Sequence, residues 1–248
     1  MSTPIYSETS SPIPLARYWR QRLTATLALF WYHSRALFGR QTLWAGLISL
    51  AATVALLLAR LRQDQLRYAA DAYPVLWWPL ALFAIFASMG LLSRERELAH
   101  VELLLGAAGT GARLALGRLT VLWLWLLPLT LCAVGCAGLL IVRFPVGLML
   151  LTLWPLLGIA ATVALIAATY VTQGNAAGLC AVALLALWTR FGPEQSVINP
   201  LYNPLPSAEQ ARIAWGLFIA NRIWVVLVWA ILLRWLVYRL RQPRAWMG

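Results

Sequence analysis

Long apolar runs separated by short polar breaks dominate the hydrophobic pattern of this chain. Several runs reach about 20 residues, the length that an α-helix needs to cross a hydrocarbon core of about 30 Å. The pattern predicts an all-α, polytopic membrane protein with a transmembrane domain over residues 43–238. Its six predicted spans are Leu43–Ala59, Pro74–Leu92, Leu119–Val142, Val146–Val171, Ala176–Trp188 and Gly216–Tyr238. The fifth of these is short for a full crossing.

The N-terminal part of the chain has a different pattern. Residues 1–14 are rich in Ser, Thr and Pro and have no hydrophobic period, which predicts a mobile tail. Over Leu15–Phe38, apolar residues recur on one helical stripe, opposite arginines and other polar residues. This pattern predicts an amphipathic helix lying in the membrane interface, within residues 15–42. A first span interrupted by polar residues is the alternative interpretation.

The connections between the spans carry their own signals. Arg60–Tyr73 reads as a short polar loop, and Tyr73, Trp77 and Trp78 are predicted to form an aromatic belt at the outer end of the second span. Residues 190–215 contain four prolines, so they cannot form one continuous helix.

The break between the second and third spans is unusually charged. Its first ten residues contain Arg94, Glu95, Arg96, Glu97, His100 and Glu102. With helical spacing, Leu98, Val101 and Leu105 fall on one face, while Glu95 and Glu102 lie on another. The pattern therefore predicts an amphipathic helix outside the bilayer.

Glycines follow this charged helix. Gly106, Gly109 and Gly111 are predicted to end it, and Thr110 can cap a second helix that carries Arg113 into the third span.

These residues resemble a known family. The segments Ser93-Arg-Glu-Arg-Glu, Val101-Glu-Leu-Leu-Leu and Leu116-Gly-Arg-Leu are similar to the stretch after the second membrane helix of ABC-2 type permeases, the membrane subunits of a class of ABC exporters. Leu98 and Ala99 stand where that family usually has Gly-Thr.

The resemblance implies that residues 93–118 form a cytoplasmic coupling segment against an ATPase subunit. The residues expected at that interface are Arg94, Glu95, Arg96, Glu97, Leu98, Val101, Glu102 and Leu105. It also implies that residues 190–215 form an external segment that dips back into the membrane. The expected complex contains two permease copies, or two homologous permeases, and two ATPase subunits, with ATP and Mg bound by the ATPase and not by this chain.

Composition and charge agree with a membrane location. Hydrophobic residues make up 62% of the 248 residues and charged residues only 11%, which excludes an ordinary soluble domain. The net charge of +12 is spread around the spans, so it does not indicate nucleic-acid binding. Placing both termini in the cytoplasm puts thirteen of the twenty basic residues there, including those of a basic tail over residues 239–248. The predicted location is the bacterial inner membrane.

Candidate chemistry within the chain is sparse. The sequence has no lysine, and so no Walker A loop, and it lacks the H-E-x-x-H and G-x-S-x-G motifs, so the chain itself is not expected to be an enzyme. Cys132 and Cys136 share a helix face and could hold a soft metal, but buried inert thiols are the favoured interpretation. His33 and His100 are expected to have solvated or interfacial roles and no metal-binding role.

Arg222 is the most unusual residue of the last predicted span. It lies twelve residues before Arg234, about 18 Å along a helix, so the two cannot both sit at opposite membrane surfaces. Arg222 either extends outward beside Asn221 or faces the protein interior and a translocation pathway.

The sequence thus favours the permease subunit of an ATP-driven exporter. Two alternatives stay open. One is a haem-exporter-type permease of cytochrome c assembly, and the other is a membrane scaffold or assembly protein with no transport path.

Overall fold

A computed structural model describes residues 15–37, 39–66, 69–97, 110–141, 144–171, 173–191 and 211–242. These residues form seven α-helices and contain no β-strand, which confirms the all-α class for this part of the chain. The helices are α1 (Leu15–Leu37), α2 (Arg40–Arg62), α3 (Ala69–Glu97), α4 (Thr110–Leu140), α5 (Val146–Tyr170), α6 (Gly174–Phe191) and α7 (Ala211–Leu240). The predicted N-terminal tail and most of the predicted re-entrant segment lie outside the described residues.

Five of these helices are long and apolar enough to cross a membrane, namely α2, α3, α4, α5 and α7. Helix α6 is also apolar but shorter, with its candidate stretch limited to Asn175–Arg190. Several apolar helices of this length indicate a multi-pass membrane protein. A sixth crossing by α6 and an interfacial position for α1 remain predictions.

Helices α3 and α5 form the centre of the bundle. Helix α5 packs against α3, α4, α6 and α7, and α3 also packs against α2, α4 and α6. Along α5 almost every side chain from Leu156 to Thr169 is buried, many of them Ala, Gly or Thr. Small side chains let helix backbones approach closely, and this close packing is a main source of helix association in lipid.

Helix α2 packs on α3 through a narrow face of small residues. Gly46, Ser49 and Thr53 are buried at helical spacing. The Ser49 hydroxyl donates a hydrogen bond to the Pro79 carbonyl of α3 at 2.8 Å, and Thr53 donates to the Ser49 carbonyl at 2.8 Å. The remaining faces of α2 are mostly exposed, so α2 lies at the periphery of the bundle.

Three tryptophans join α4, α5 and α7 in the middle of the bundle. The rings of Trp123 and Trp154 stack with centroids 3.9 Å apart, and Trp229 lies 5.0 Å from Trp123. The Trp154 Nε1 donates to the Trp123 carbonyl at 2.9 Å. Gly158 lies beneath this group, and a Cβ there would come within 2.7 Å of the Trp229 ring and 3.0 Å of the Trp123 ring. Glycine is therefore required at this position by the close approach of the rings.

Two predictions about the connection between α2 and α3 are wrong. The loop is shorter than Arg60–Tyr73, because α2 continues to Arg62 and α3 begins at Ala69. The aromatic belt is also wrong, because Tyr73 and Trp77 are only 3% and 1% exposed and Trp78 is partly buried. Because Tyr73 and Trp77 are enclosed, these two side chains cannot contact lipid headgroups.

The prediction that Cys132 and Cys136 are both buried is wrong. Cys132 and Cys180 are exposed on apolar helix faces and Cys136 is partly exposed. All three are free thiols. Because the outer faces of the helices are themselves apolar, an apolar run does not distinguish an inward-facing thiol from an outward-facing one.

His33 of α1 is only 4% exposed, which excludes the solvated role, while the interfacial role stays a prediction. Its Nε2 atom lies against Gly117 of α4, 3.1 Å from the position that a Cβ would take there. Burial, together with the nearby Arg118 guanidinium, lowers the pKa of His33 from its usual 6.5. The neutral imidazole is thus a packing element between α1 and α4.

Candidate functional site: a buried arginine cluster and a charged helix end

The guanidinium of Arg222 of α7 contacts groups in the interior of the bundle. Its Nη1 donates a hydrogen bond to the Thr152 carbonyl of α5 at 3.1 Å. Its Nη2 donates to the side-chain oxygen of Asn221, which is fully buried. The guanidinium also lies 5.1 Å from the centre of the Phe218 ring, within the range of a cation–π interaction.

A third helix contributes Tyr73 to this cluster. The Tyr73 side chain of α3 forms a hydrogen bond with the Arg222 guanidinium. The Arg222 cluster, defined here as Tyr73, Thr152, Phe218, Asn221 and Arg222, thus joins α3, α5 and α7. Guanidinium groups have several donors in a fixed plane, so one arginine can bind acceptors from all three helices at once.

An ionisable side chain inside a membrane helix is costly to retain. Where such residues occur, they generally face the protein interior and are associated with function. The Arg222 cluster has this arrangement, with a half-buried cation, a buried amide and a buried phenol. Chemically it can hold an anionic or hydrogen-bond-accepting group, and it can change its partners if the three helices move.

The second candidate region is the charged end of α3. This helix runs without a break from its apolar stretch, Asp71–Met89, through Arg94 and Glu95 to Glu97. The sequence predicted a separate amphipathic helix here, whereas the backbone of the first half of the charged stretch continues α3. The remaining predicted coupling residues, Leu98, Val101, Glu102 and Leu105, lie outside the described residues.

The chain returns to the bundle at the predicted place. Helix α4 begins at Thr110, the predicted capping residue, and continues past Arg113 into the apolar stretch. Helices α3 and α4 pack against each other, so the two helices that flank the charged stretch belong to one packed unit.

The two candidate regions lie at opposite ends of α3. Tyr73 and Glu95 are separated by 22 residues, about 33 Å along a helix. The structure thus connects both regions through one continuous element, which itself packs on the central helix α5.

Sequence reasoning identified Arg222 and Asn221 but missed their partners. Tyr73 was assigned to a lipid-facing belt, and the Thr152 carbonyl is a backbone group with no side-chain signature. Of these partners, only Tyr73 could have been suspected from the sequence, because a tyrosine hydroxyl near a membrane arginine needs a polar partner.

Metal chemistry has no support from the part of the chain that the structure describes. Within it, no group of three or more His, Cys, Asp or Glu side chains is placed to hold a metal ion.

Comparison with known proteins adds no identification. No protein-family model matches the chain, and neither characterised proteins nor solved structures give a match. The resemblance to ABC-2 type permeases therefore rests on the charged segment alone and remains a prediction.

Proposed function

We propose that this chain is the membrane permease subunit of an ATP-driven ABC exporter. The single observation that carries the proposal is the continuity of α3, which extends from an apolar stretch into Arg94–Glu97 without a break. A charged segment that continues a membrane helix can transmit a displacement, whereas a loose loop would absorb it. This is the property that a coupling segment needs.

The end of α3 offers a site of attachment for a partner. Beyond Met89 the helix continues for eight residues, about 12 Å. In the proposed complex, Glu95, Glu97 and Glu102 pair with basic residues of the ATPase, while Leu98, Val101 and Leu105 anchor the segment. Movement of the segment then displaces α3 and α4 together, because these helices are packed against each other.

The Arg222 cluster supplies a polar element at the far end of the same helix. Tyr73 of α3 and the Thr152 carbonyl of α5 both contact Arg222, so a shift of α3 relative to α5 changes the surroundings of the guanidinium. In this proposal Asn221 and Arg222 belong to the translocation pathway, and the motion of α3 connects them with the ATPase.

The proposed complex follows from the resemblance to ABC-2 type permeases, and the sequence itself has no nucleotide-binding motif. Two copies of this chain, or this chain and a homologous permease, form the pathway, and two ATPase subunits bind ATP and Mg. The proposed location is the bacterial inner membrane, with both termini and the Arg94–Glu97 end of α3 in the cytoplasm, because that orientation places most of the basic residues there.

Orientation is the first experimental test. In a variant in which the three cysteines are replaced by Ser, Glu95→Cys places a thiol at the charged end of α3, and Gln63→Cys places one at the exposed end of α2. We expect a membrane-impermeant maleimide to label Glu95→Cys only in inside-out vesicles and Gln63→Cys only in intact spheroplasts. The reverse pattern would remove the exporter proposal.

The partner is the second test. The chain is purified from its native membrane in mild detergent, and co-purifying proteins are identified by mass spectrometry. We expect an ABC ATPase to co-purify, and Glu95→Ala or Glu102→Ala to weaken its binding about tenfold or more, as expected when one member of an interfacial charge pair is lost. Gln63→Ala is the matched control with unchanged binding. If no ATPase accompanies the wild-type chain, the scaffold alternative is favoured.

A further inference from the structure

An apolar groove runs along the outside of the bundle between α5, α6 and α7. Its volume is about 520 Å³, and its wall includes Ile166, Leu184, Trp188, Trp224 and Trp235. Every lining side chain is aliphatic, aromatic or a cysteine. A groove with such walls suits a hydrocarbon chain.

The dimensions of the groove match one leaflet of a bilayer. Its lining on α7 extends from Trp224 to Trp235, eleven residues or about 16 Å along the helix. Half of a hydrocarbon core of about 30 Å is about 15 Å. An acyl chain of one leaflet can therefore lie along the groove over its full length.

One end of the groove carries a cation. Tyr170 lines the groove, and the guanidinium of Arg239 lies 3.9 Å from the centre of its ring. Trp235 contacts the same ring edge-on at 6.2 Å. Arg239 donates one hydrogen bond to Gln242 at 3.3 Å, while its Nε is buried and has no hydrogen-bond partner among the described residues. The guanidinium is thus held in place. Its Nε is enclosed, so a phosphate would bind at the terminal nitrogens of this partly buried side chain.

Further basic residues surround this end. Arg234 and Arg241 are exposed on either side of Arg239 near the C-terminus of α7. Arg222, near the N-terminus of α7, contacts the N-terminal parts of α3 and α5, so these three helices run in the same direction. The C-terminal end of α7, where Arg239 contacts Tyr170, therefore lies at the same end of the bundle as Glu97 of α3. Positive charge at the mouth of an apolar groove is complementary to an anionic amphiphile.

We propose that the groove between α5, α6 and α7 binds an anionic phospholipid, with one acyl chain along the apolar wall and the phosphate at Arg239. The proposal is independent of any ATPase partner and of the exporter function. It assigns Arg239 as the headgroup-binding residue, with Tyr170 orienting its guanidinium by the cation–π contact.

Native mass spectrometry of the detergent-purified chain tests this proposal. The probes are palmitoyl-oleoyl phosphatidylglycerol and palmitoyl-oleoyl phosphatidylcholine, added in titration. We expect one phosphatidylglycerol per chain to bind in clear preference to phosphatidylcholine. Arg239→Gln is expected to weaken phosphatidylglycerol binding about tenfold, the effect of losing a charge-assisted hydrogen bond. Arg60→Gln, which alters an exposed arginine of α2 away from the groove, is expected to stay within about twofold of wild type.

A second pair of variants tests the groove itself. Leu184 is 56% exposed and lines the groove, whereas Leu187, which is 51% exposed on the same helix, does not. We expect Leu184→Trp to fill the groove and displace the lipid, and Leu187→Trp to leave binding unchanged. Because both side chains are partly exposed, neither substitution disturbs the interior.

Three outcomes would overturn the proposal. Equal binding of the two lipids would show that the groove holds any amphiphile without recognising charge. Unchanged phosphatidylglycerol binding in both Arg239→Gln and Leu184→Trp would place the lipid elsewhere. If Leu184→Trp instead changes the ratio of monomer to dimer in the same spectra and leaves lipid binding intact, the groove is occupied by a second copy of the chain.

Discussion

Helices α5 and α7 are almost equally apolar, yet their surroundings differ greatly. Their apolar stretches have mean hydropathies of 2.2 and 2.1, but 72% of the α5 stretch is buried inside the bundle and only 17% of the α7 stretch. Hydropathy therefore reports that a helix belongs in a membrane, and it does not report which neighbours the helix has. Protein interior and lipid are similarly apolar, so side-chain packing determines which helices lie at the centre of the bundle and which at its edge.

Side-chain size explains the difference between the two helices. The buried part of α5 includes Gly158, Ala160 and Ala164, which allow four neighbouring helices to approach. Helix α7 instead exposes large side chains such as Ile223 and Ile231, at 57% and 64%. Its contacts with the bundle include those of Arg222 and Trp229, and its outer face is left for lipid or another subunit.

The largest expected effect comes from removing a buried side chain of α5. Leu157→Ala empties a fully buried position, whereas Leu227→Ala on α7 truncates a side chain that is 52% exposed. We expect Leu157→Ala to cost about 3 kcal/mol, near the low end for buried leucines, because lipid already shields the unfolded chain from water and lost packing dominates. Leu227→Ala should cost less than about 0.5 kcal/mol. Unfolding by sodium dodecyl sulfate, followed by tryptophan fluorescence, measures both. Equal losses would show that α5 and α7 do not differ in packing.

A smaller but more specific effect is expected at Gly158. Alanine there would place its Cβ 2.7 Å from the Trp229 ring, and rigid rings cannot move aside cheaply. We expect Gly158→Ala to destabilise the fold by about 2 kcal/mol through overpacking. Gly147 is the matched control on the same helix, with nothing within 4 Å of an added Cβ. Gly147→Ala should be neutral or stabilising, since alanine favours a helix over glycine. A destabilising Gly147→Ala together with a neutral Gly158→Ala would contradict the tryptophan packing.

Replacement of Arg222 tests the polar attachment of α7. Arg222→Leu removes the hydrogen bonds to the Thr152 carbonyl and to Asn221, but it also removes the cost of burying a cation. We expect a net loss of about 1 kcal/mol, because the two terms partly offset each other. Arg222→Lys keeps the charge without the planar donors and should recover only part of the loss.

The control for this change is Arg234→Leu on the exposed face of the same helix. Its effect on the unfolding free energy should lie within about 0.5 kcal/mol of zero. If Arg222→Leu and Arg234→Leu behave alike in the same denaturation assay, Arg222 does not attach α7 to the bundle.

Much of the helix arrangement could be predicted from the sequence. The predicted span Val146–Val171 corresponds closely to α5 (Val146–Tyr170), and Thr110 marks the start of α4 as predicted. These elements have unambiguous signals, long apolar runs that end at turn residues. The direction in which each side chain faces was less predictable. Tyr73 and Cys132 were misplaced because outer and inner faces of a membrane helix are both apolar, so hydrophobic periodicity carries little information about which face a side chain is on.

The candidate site was only partly predictable for a related reason. Arg222 was identified because a single cation within an apolar run is easily recognised in the sequence. Its partner on α5 is a backbone carbonyl, and its partner on α3 is separated from it by about 150 residues of sequence. No local pattern connects such groups; only the packing of α3, α5 and α7 brings them together.

The smallest effect concerns one hydrogen bond between α5 and α7. Trp229 donates from Nε1 to the Thr162 hydroxyl at 3.0 Å, and that hydroxyl donates to the Gly158 carbonyl at 2.7 Å. Trp229→Phe removes the first bond and part of the ring, so the single substitution mixes two losses. A double-mutant cycle with Thr162→Val separates them, because the packing loss from the smaller ring is nearly the same with either residue at position 162.

We expect a coupling energy of about 0.6 kcal/mol from this cycle, the average for side-chain hydrogen bonds between membrane helices. The measurement is the same detergent denaturation, applied to the two single variants and the double variant. A coupling energy near zero would mean that α7 is attached through ring packing alone. In that case α5 and α7 would differ only in the size and packing of their side chains. Arg222 would then be the main polar contact between α7 and the bundle that is left to test.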